Sequence, residues 1–193
     1  MILFLSLILS ILIALLRGGT FRALANVSFA YGWIAILAFA IQLVEIYAPL
    51  PKTEGFWGRR TLLLIGSYGV LLVVVGLNRR LPGLPFIGAG LALNLTVMLV
   101  NGGYMPIAAE ALQRAGLAHL ALGSEAGSRL LATKDILLPR ADTALWFLSD
   151  IWVLPPPVGT VFSTGDIFLA IGAFIFFQRT MRPSQRVVVS PDE

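Results

Sequence analysis

The sequence contains no cysteine and only one histidine, His119. The first absence excludes disulfides, thiolate metal ligands and a cysteine nucleophile. A lone histidine argues against a His-rich metal or haem site, so neither a metal nor a cofactor is expected. Charge is also scarce. Only 12% of the 193 residues are Asp, Glu, Lys or Arg, against about 25% in a typical soluble domain. No Walker loop, dinucleotide fingerprint, HExxH or GxSxG is present. No internal repeat is visible, which disfavours an inverted-repeat transporter. The net charge is +4 and the pI about 10.0, yet there is no basic run. Arginines stand singly or in pairs beside apolar segments, a pattern that fits membrane topology and anionic headgroups rather than nucleic acid.

What the chain has in abundance is apolar surface. Apolar residues make up 58% of it, and the mean hydropathy is +0.87. A soluble domain of this size cannot hide that much and still keep a wetted exterior, so lipid is the expected solvent. Five runs approach the length of a spanning helix, about 17–25 residues. They cover residues 1–16, 27–47, 61–77, 84–100 and 161–177. The expected fold is an all-α, polytopic membrane bundle of about five transmembrane helices. Residues 1–178 form a single transmembrane domain, residues 101–160 an amphipathic outer-face segment, and residues 179–193 a cytoplasmic tail.

The first run is read as a retained span. Ala23-Leu24-Ala25 resembles a signal-peptide cleavage site, but Arg17 and Arg22 separate it from the apolar run, and no basic region precedes that run. With the N-terminus outside, Lys and Arg divide evenly between the two sides. Four of the outer cations (Arg114, Arg129, Lys134 and Arg140) fall in the long segment, where charge matters less. An uncharged start followed by Arg17 also favours an outside N-terminus and a cytoplasmic C-terminus in the cell (inner) membrane.

Within the long segment, Pro106 to Gly116 reads as a short helix. Proline suits its first turn and glycine its end. Glu110, Gln113 and Arg114 share one face, and Ile107, Ala111, Ala115 and Ala118 the other. Such a helix lies along the interface or packs on the outer ends of the spans. Trp146 and Trp152 flank Asp150 as interfacial anchors, and Pro155-Pro156-Pro157 forms a stiff approach to the last run.

Polar groups inside lipid are costly, so each is a functional candidate. Asn94, Met98 and Asn101 are spaced to share one helix face. Gly102-Gly103 follows as a stop where another group can come close. Asn94, Asn101, Gly102, Gly103 and Ser163 are the candidate binding residues, with interhelical hydrogen bonding and capping as the structural alternative. Ser163 and Asp166 also fit a capping box at the start of the last helix. Asp150 lies sixteen residues before Asp166, and a chain that doubles back brings the two carboxylates together. Gln42 and Glu45 are expected near the headgroups, and Gly66, Gly69 and Gly76 at close-packed helix contacts.

Through Val100-Asn101-Gly102-Gly103-Tyr104-Met105-Pro106 and Phe162-Ser163-Thr164-Gly165-Asp166, the chain resembles a family of bacterial multi-spanning membrane proteins known only as a domain of unknown function. That resemblance implies a bacterial membrane protein and supplies no activity. The last quarter, Leu148-Ser149-Asp150-Ile151 and Val161 to Ile167, is remotely similar to lipoprotein signal peptidase. The likeness implies a catalytic dyad of Asp150 and Asp166. Ser163 and Gly165 depart from the family's Asn and Ala, and its Gly-Asn-x-x-Asp-Arg motif is missing.

The expected function is a non-catalytic membrane subunit that binds lipid or a partner membrane protein. The alternatives are an intramembrane aspartyl hydrolase and a small proton-coupled transporter. The expected partners are membrane lipids or another membrane protein, and not nucleic acid.

Overall fold

A computed structural model describes residues 2–47, 58–130 and 133–182. Met1, Lys52 and the tail beyond Arg182 lie outside the described residues. Seven α-helices are present among the described residues: α1 (Ile2–Leu16), α2 (Phe21–Ala25), α3 (Gly32–Tyr47), α4 (Arg59–Leu77), α5 (Leu84–Val100), α6 (Ala109–Arg114) and α7 (Thr164–Thr180). Four strands join them: β1 (Met105–Ile107), β2 (Asp135–Leu137), β3 (Asp150–Leu154) and β4 (Thr160–Ser163).

The expectation of an all-α bundle of five spans is therefore corrected on two counts. Residues 105–163, reaching into the start of the expected fifth span, carry a four-stranded mixed sheet in the order β2-β1-β3-β4. β1 runs parallel to both β2 and β3, and β3 pairs antiparallel with β4. The strands are only three to five residues long, too short to leave a period-two signal among polar residues.

The second count concerns the spans. By length and composition, α4 alone among the described helices is long and apolar enough to cross a membrane. Ile2–Leu16, Gly32–Tyr47 and Leu84–Val100 are apolar but shorter. The first and third of these keep their expected bounds, and local backbone signals delimit the first two. Gly18 turns with positive φ just after α1, and Tyr31 does so just before α3. The expected run from residue 27 therefore begins its helix only at Gly32.

The long segment differs from its expected form in two further places. Pro106 sits in β1, so the helix foreseen from it shrinks to α6. Ala111 and Ala115 are buried and Glu110, Gln113 and Arg114 exposed, as the spacing requires, but Ala118 of the expected apolar face lies beyond α6 and is exposed. Pro155, Pro156 and Pro157 fall in the turn of the β3–β4 hairpin rather than in an extended approach.

Glycines bring α5 and α7 together. A Cβ on Gly90 would stand 2.5 Å from the carbonyl oxygen of Gly165, and one on Gly172 would stand 2.6 Å from Ile87 Cγ1. Backbones this close leave no room for a side chain, which is how small residues lock helix pairs. Gly66, Gly69 and Gly76 behave otherwise, since an added Cβ at any of them meets nothing. Gly66 and Gly69 instead floor an open apolar groove of about 630 Å³, bordered by Tyr31, Ile34, Val73 and Leu77.

Polar side chains tie the remaining helices. Asn78 accepts from Ala30 N at 2.8 Å and donates to Ala30 O at 2.9 Å. Gln178 of α7 donates to Ser10 O of α1 at 2.9 Å and accepts from Arg17 at 3.2 Å. The apolar core divides in two. Leu64, Tyr68, Val97, Met98 and Met105 pack between helices and sheet, and Ile107, Ala111, Leu112, Leu130 and Leu137 fill the cap formed by the sheet and α6.

Candidate functional site

The site forms where the cap meets the ends of α4, α5 and α7. Ser163 closes β4 and caps α7. Its hydroxyl accepts from Asp166 N at 3.0 Å, while the Asp166 carboxylate accepts from Ser163 N at 3.2 Å. This reciprocal box satisfies two of the amides that every helix start leaves unpaired. Asn94, fully buried in α5, completes the group. It donates to Asp166 Oδ1 at 2.9 Å and accepts from the Ser163 hydroxyl at 2.8 Å. Gly165 and Gly90 allow the close helix approach that brings Asn94 within reach.

Asp150 opens β3, and its Cα partner across the hairpin is Ser163. The chain thus doubles back and sets Asp150 beside the start of α7. Its carboxyl, however, lies within the electrostatic reach of Asp135, on the far side of β1. Lys134 reaches Asp166 Oδ1 at 4.0 Å with its side chain four-fifths buried. Tyr68 of α4 is buried within the electrostatic reach of all four groups.

Charge and burial set the protonation of this cluster. Burial pushes Asp150 well above the carboxylate range, and the neighbouring Asp135 pushes it further. Burial likewise raises Asp135, to about 6, against the pull of Lys134. Burial alone would lower Lys134, but the facing Asp166 and its neighbours hold it well above its ordinary value. Asp135 and Asp150 therefore share a proton near neutral pH, while Lys134 stays charged.

A cavity of about 470 Å³ opens on the cap side of this cluster. Glu110 and Arg114 from α6, Arg140, Trp146 and Asp150 contribute its polar and aromatic lining. The Arg140 guanidinium lies 3.3 Å from the centre of the Trp146 ring. Asp150 is only 5% exposed, and its Oδ1 has no hydrogen-bond partner.

Asn101, Gly102 and Gly103 are placed elsewhere. Asn101 clasps Ala144, donating to its carbonyl and accepting from its amide, both at 2.9 Å. It thereby anchors the segment that carries Trp146. Gly102 and Gly103 take positive φ in the turn after α5, and a side chain on Gly103 would strike Thr61. Glu45 is buried rather than exposed to headgroups. Its carboxylate lies 3.5 Å from Arg60, and Arg129 donates to its carbonyl at 2.7 Å.

Residues 26–178 match the model of a family of unknown function, DUF5317. The chain belongs to that family. The DUF5317 match spans α3 to α7 and includes every residue of the cluster and the cavity. It supports the resemblance to a family of unknown function and carries no likeness to lipoprotein signal peptidase. No curated protein and no solved structure matches the chain.

Sequence reasoning missed Lys134, Asp135, Tyr68 and Arg140 as site residues. A signal existed for two of them. The Lys134-Asp135 doublet interrupts an apolar stretch that resumes at Ile136-Leu137-Leu138, and a charged pair in such a setting points to a buried partner. Nothing local marks Tyr68, whose role arises from tertiary packing.

Proposed function

We propose that the protein is membrane-embedded and non-catalytic, and that its cap cavity binds the polar end of an amphiphile. The helical layer displays large apolar side chains outward. Phe4 is 64% exposed, Ile36 73%, Phe39 54% and Val73 63%. Exposed apolar side chains in this number call for an apolar surrounding. The cap above it carries the polar cavity and the half-exposed Trp146 and Trp152, which suits an interfacial level. The carrying observation is the cavity itself, lined by two arginines and by Asp150, whose buried Oδ1 lacks a partner, next to the apolar layer. We place the cap outside and the C-terminus in the cytoplasm, from the distribution of Lys and Arg.

The hydrolase alternative needs Asp150 and Asp166 to share a proton. Asp166 is instead bound by Asn94, Ser163 and Lys134, and those bonds favour a structural role for it. The test is purification in mild detergent followed by mass spectrometry of retained molecules. The full chain should keep a polar-headed amphiphile, and Arg114→Gln with Arg140→Gln should lose it. A chain that floats free of liposomes and retains nothing would contradict the proposal.

A further inference from the structure

We infer that the cap cavity takes a zwitterionic headgroup carrying a phosphate and a protonated primary amine, with the phosphate between Arg114 and Arg140 and the ammonium at Asp150. This inference rests on the headgroup-binding reading above and names its ligand class.

The cavity wall provides for the anion. Arg140 sits over the Trp146 ring, its guanidinium carbon 3.3 Å from the ring centre, and a guanidinium so placed can still fork its N–H groups onto phosphate oxygens. Arg114, in the last turn of α6, lines the same space. Neither arginine forms an ion pair among the described residues. Glu110 stands one turn before Arg114, so the wall carries two guanidiniums against one carboxylate.

The floor provides for the cation. Asp150 Oδ1 is a buried acceptor without a donor, and an unmet buried acceptor costs about 1–3 kcal/mol until one arrives. The groups facing Asp150 are Asp135 and Lys134 at β2, Asp166 of α7 and Tyr68 of α4. Even with one proton shared between Asp135 and Asp150, the carboxylates outnumber the single lysine charge. A primary ammonium supplies both the missing charge and the missing N–H donor. A trimethylammonium supplies charge but no donor, and a glycerol hydroxyl supplies a donor but no charge. The described residues hold no cluster of three or more metal-ligating side chains, so the site suits an organic cation. The ammonium and the shared proton compete for the same oxygens, so binding strengthens as pH rises through the range of the acid pair.

The experiment is calorimetry on the full detergent-solubilised chain with four probes: glycerophosphoethanolamine, glycerophosphocholine, glycerophosphoglycerol and inorganic phosphate. A parallel arm measures partitioning to phosphatidylcholine vesicles with and without phosphatidylethanolamine. Glycerophosphoethanolamine should bind about tenfold more tightly than the other three, about 1.4 kcal/mol, and phosphatidylethanolamine should raise vesicle binding. Asp150→Asn should abolish the preference, whereas Arg140→Gln should weaken all four probes. Equal binding of the three headgroups, a preference for phosphoglycerol, or phosphate binding as tightly as any headgroup would overturn this inference alone. No binding by any probe would overturn the headgroup reading with it. The selectivity of the unmodified chain decides the matter even if Asp150→Asn does not fold.

Discussion

Asp135 and Asp150 stand on strands either side of β1 and interact through their buried carboxyls. Of the two, Asp150 lines the cavity. The pair has a consequence for stability against pH. Both groups bind protons more tightly folded than unfolded, so the folded state is favoured at low pH and loses that advantage as pH rises. For Asp135 the window runs from its ordinary 3.8 to about 6. Across that window, denaturation in detergent should show stability falling by at most about 3 kcal/mol. Asp135→Asn should flatten the decline. A stability that rises through the same window would contradict the shared proton.

Asn94 should be the costliest single polar side chain to remove. Asn94→Leu strips a donor from Asp166 and an acceptor from Ser163, both buried. The expected loss is about 2–4 kcal/mol, from leaving such groups unmet. Thr96→Val, which removes an exposed hydroxyl bonded within its own helix, should cost less than about 0.5 kcal/mol. Asn101→Ala should fall between, at about 1 kcal/mol, because its clasp on Ala144 is partly exposed. Denaturant midpoints for the three variants check the order.

The glycines should separate into two classes. Gly90→Ala places a methyl 2.5 Å from the Gly165 carbonyl, and overpacking of that kind costs about 1–3 kcal/mol. Gly66→Ala and Gly69→Ala add a methyl to open space, and should be neutral or stabilising by up to about 1 kcal/mol through helix propensity. Thermal unfolding in detergent separates them. A loss at Gly66 matching that at Gly90 would show that a neighbour fills the groove.

These contrasts show what was legible in the sequence. The capping pair Ser163 and Asp166 could be read locally because a helix start has a fixed spacing. Asn94 stood out because an amide in an apolar run must find a partner. The sheet was not legible, because β1 meets β2 and β3 across long stretches of chain and each strand is too short to show a period. The partner of Asp150 was hidden for the same reason. Asp166 follows just past the hairpin, in the first turn of α7, and is the visible choice, while Asp135 lies near it only through the parallel ladder. The glycines of α4 misled because composition alone cannot separate a packed glycine from one that floors a groove.

Orientation can be checked with fusions. A reporter inserted near Ser124 should be extracellular, and one placed after Glu193 should be cytoplasmic. The reverse at both sites would invert the proposed placement of the cap.

The most direct measurement uses the absence of cysteine. Single cysteines at Phe39, Val73 and Gln113 can carry spin labels without background. All three positions are exposed in the structure. In reconstituted vesicles, labels at Phe39 and Val73 should relax with oxygen, which concentrates in acyl chains, and resist a water-soluble nickel chelate. The label at Gln113 should do the opposite. Nickel access at Phe39 and Val73 equal to that at Gln113 would contradict the claim that the helical layer lies in lipid beneath a wetted cap.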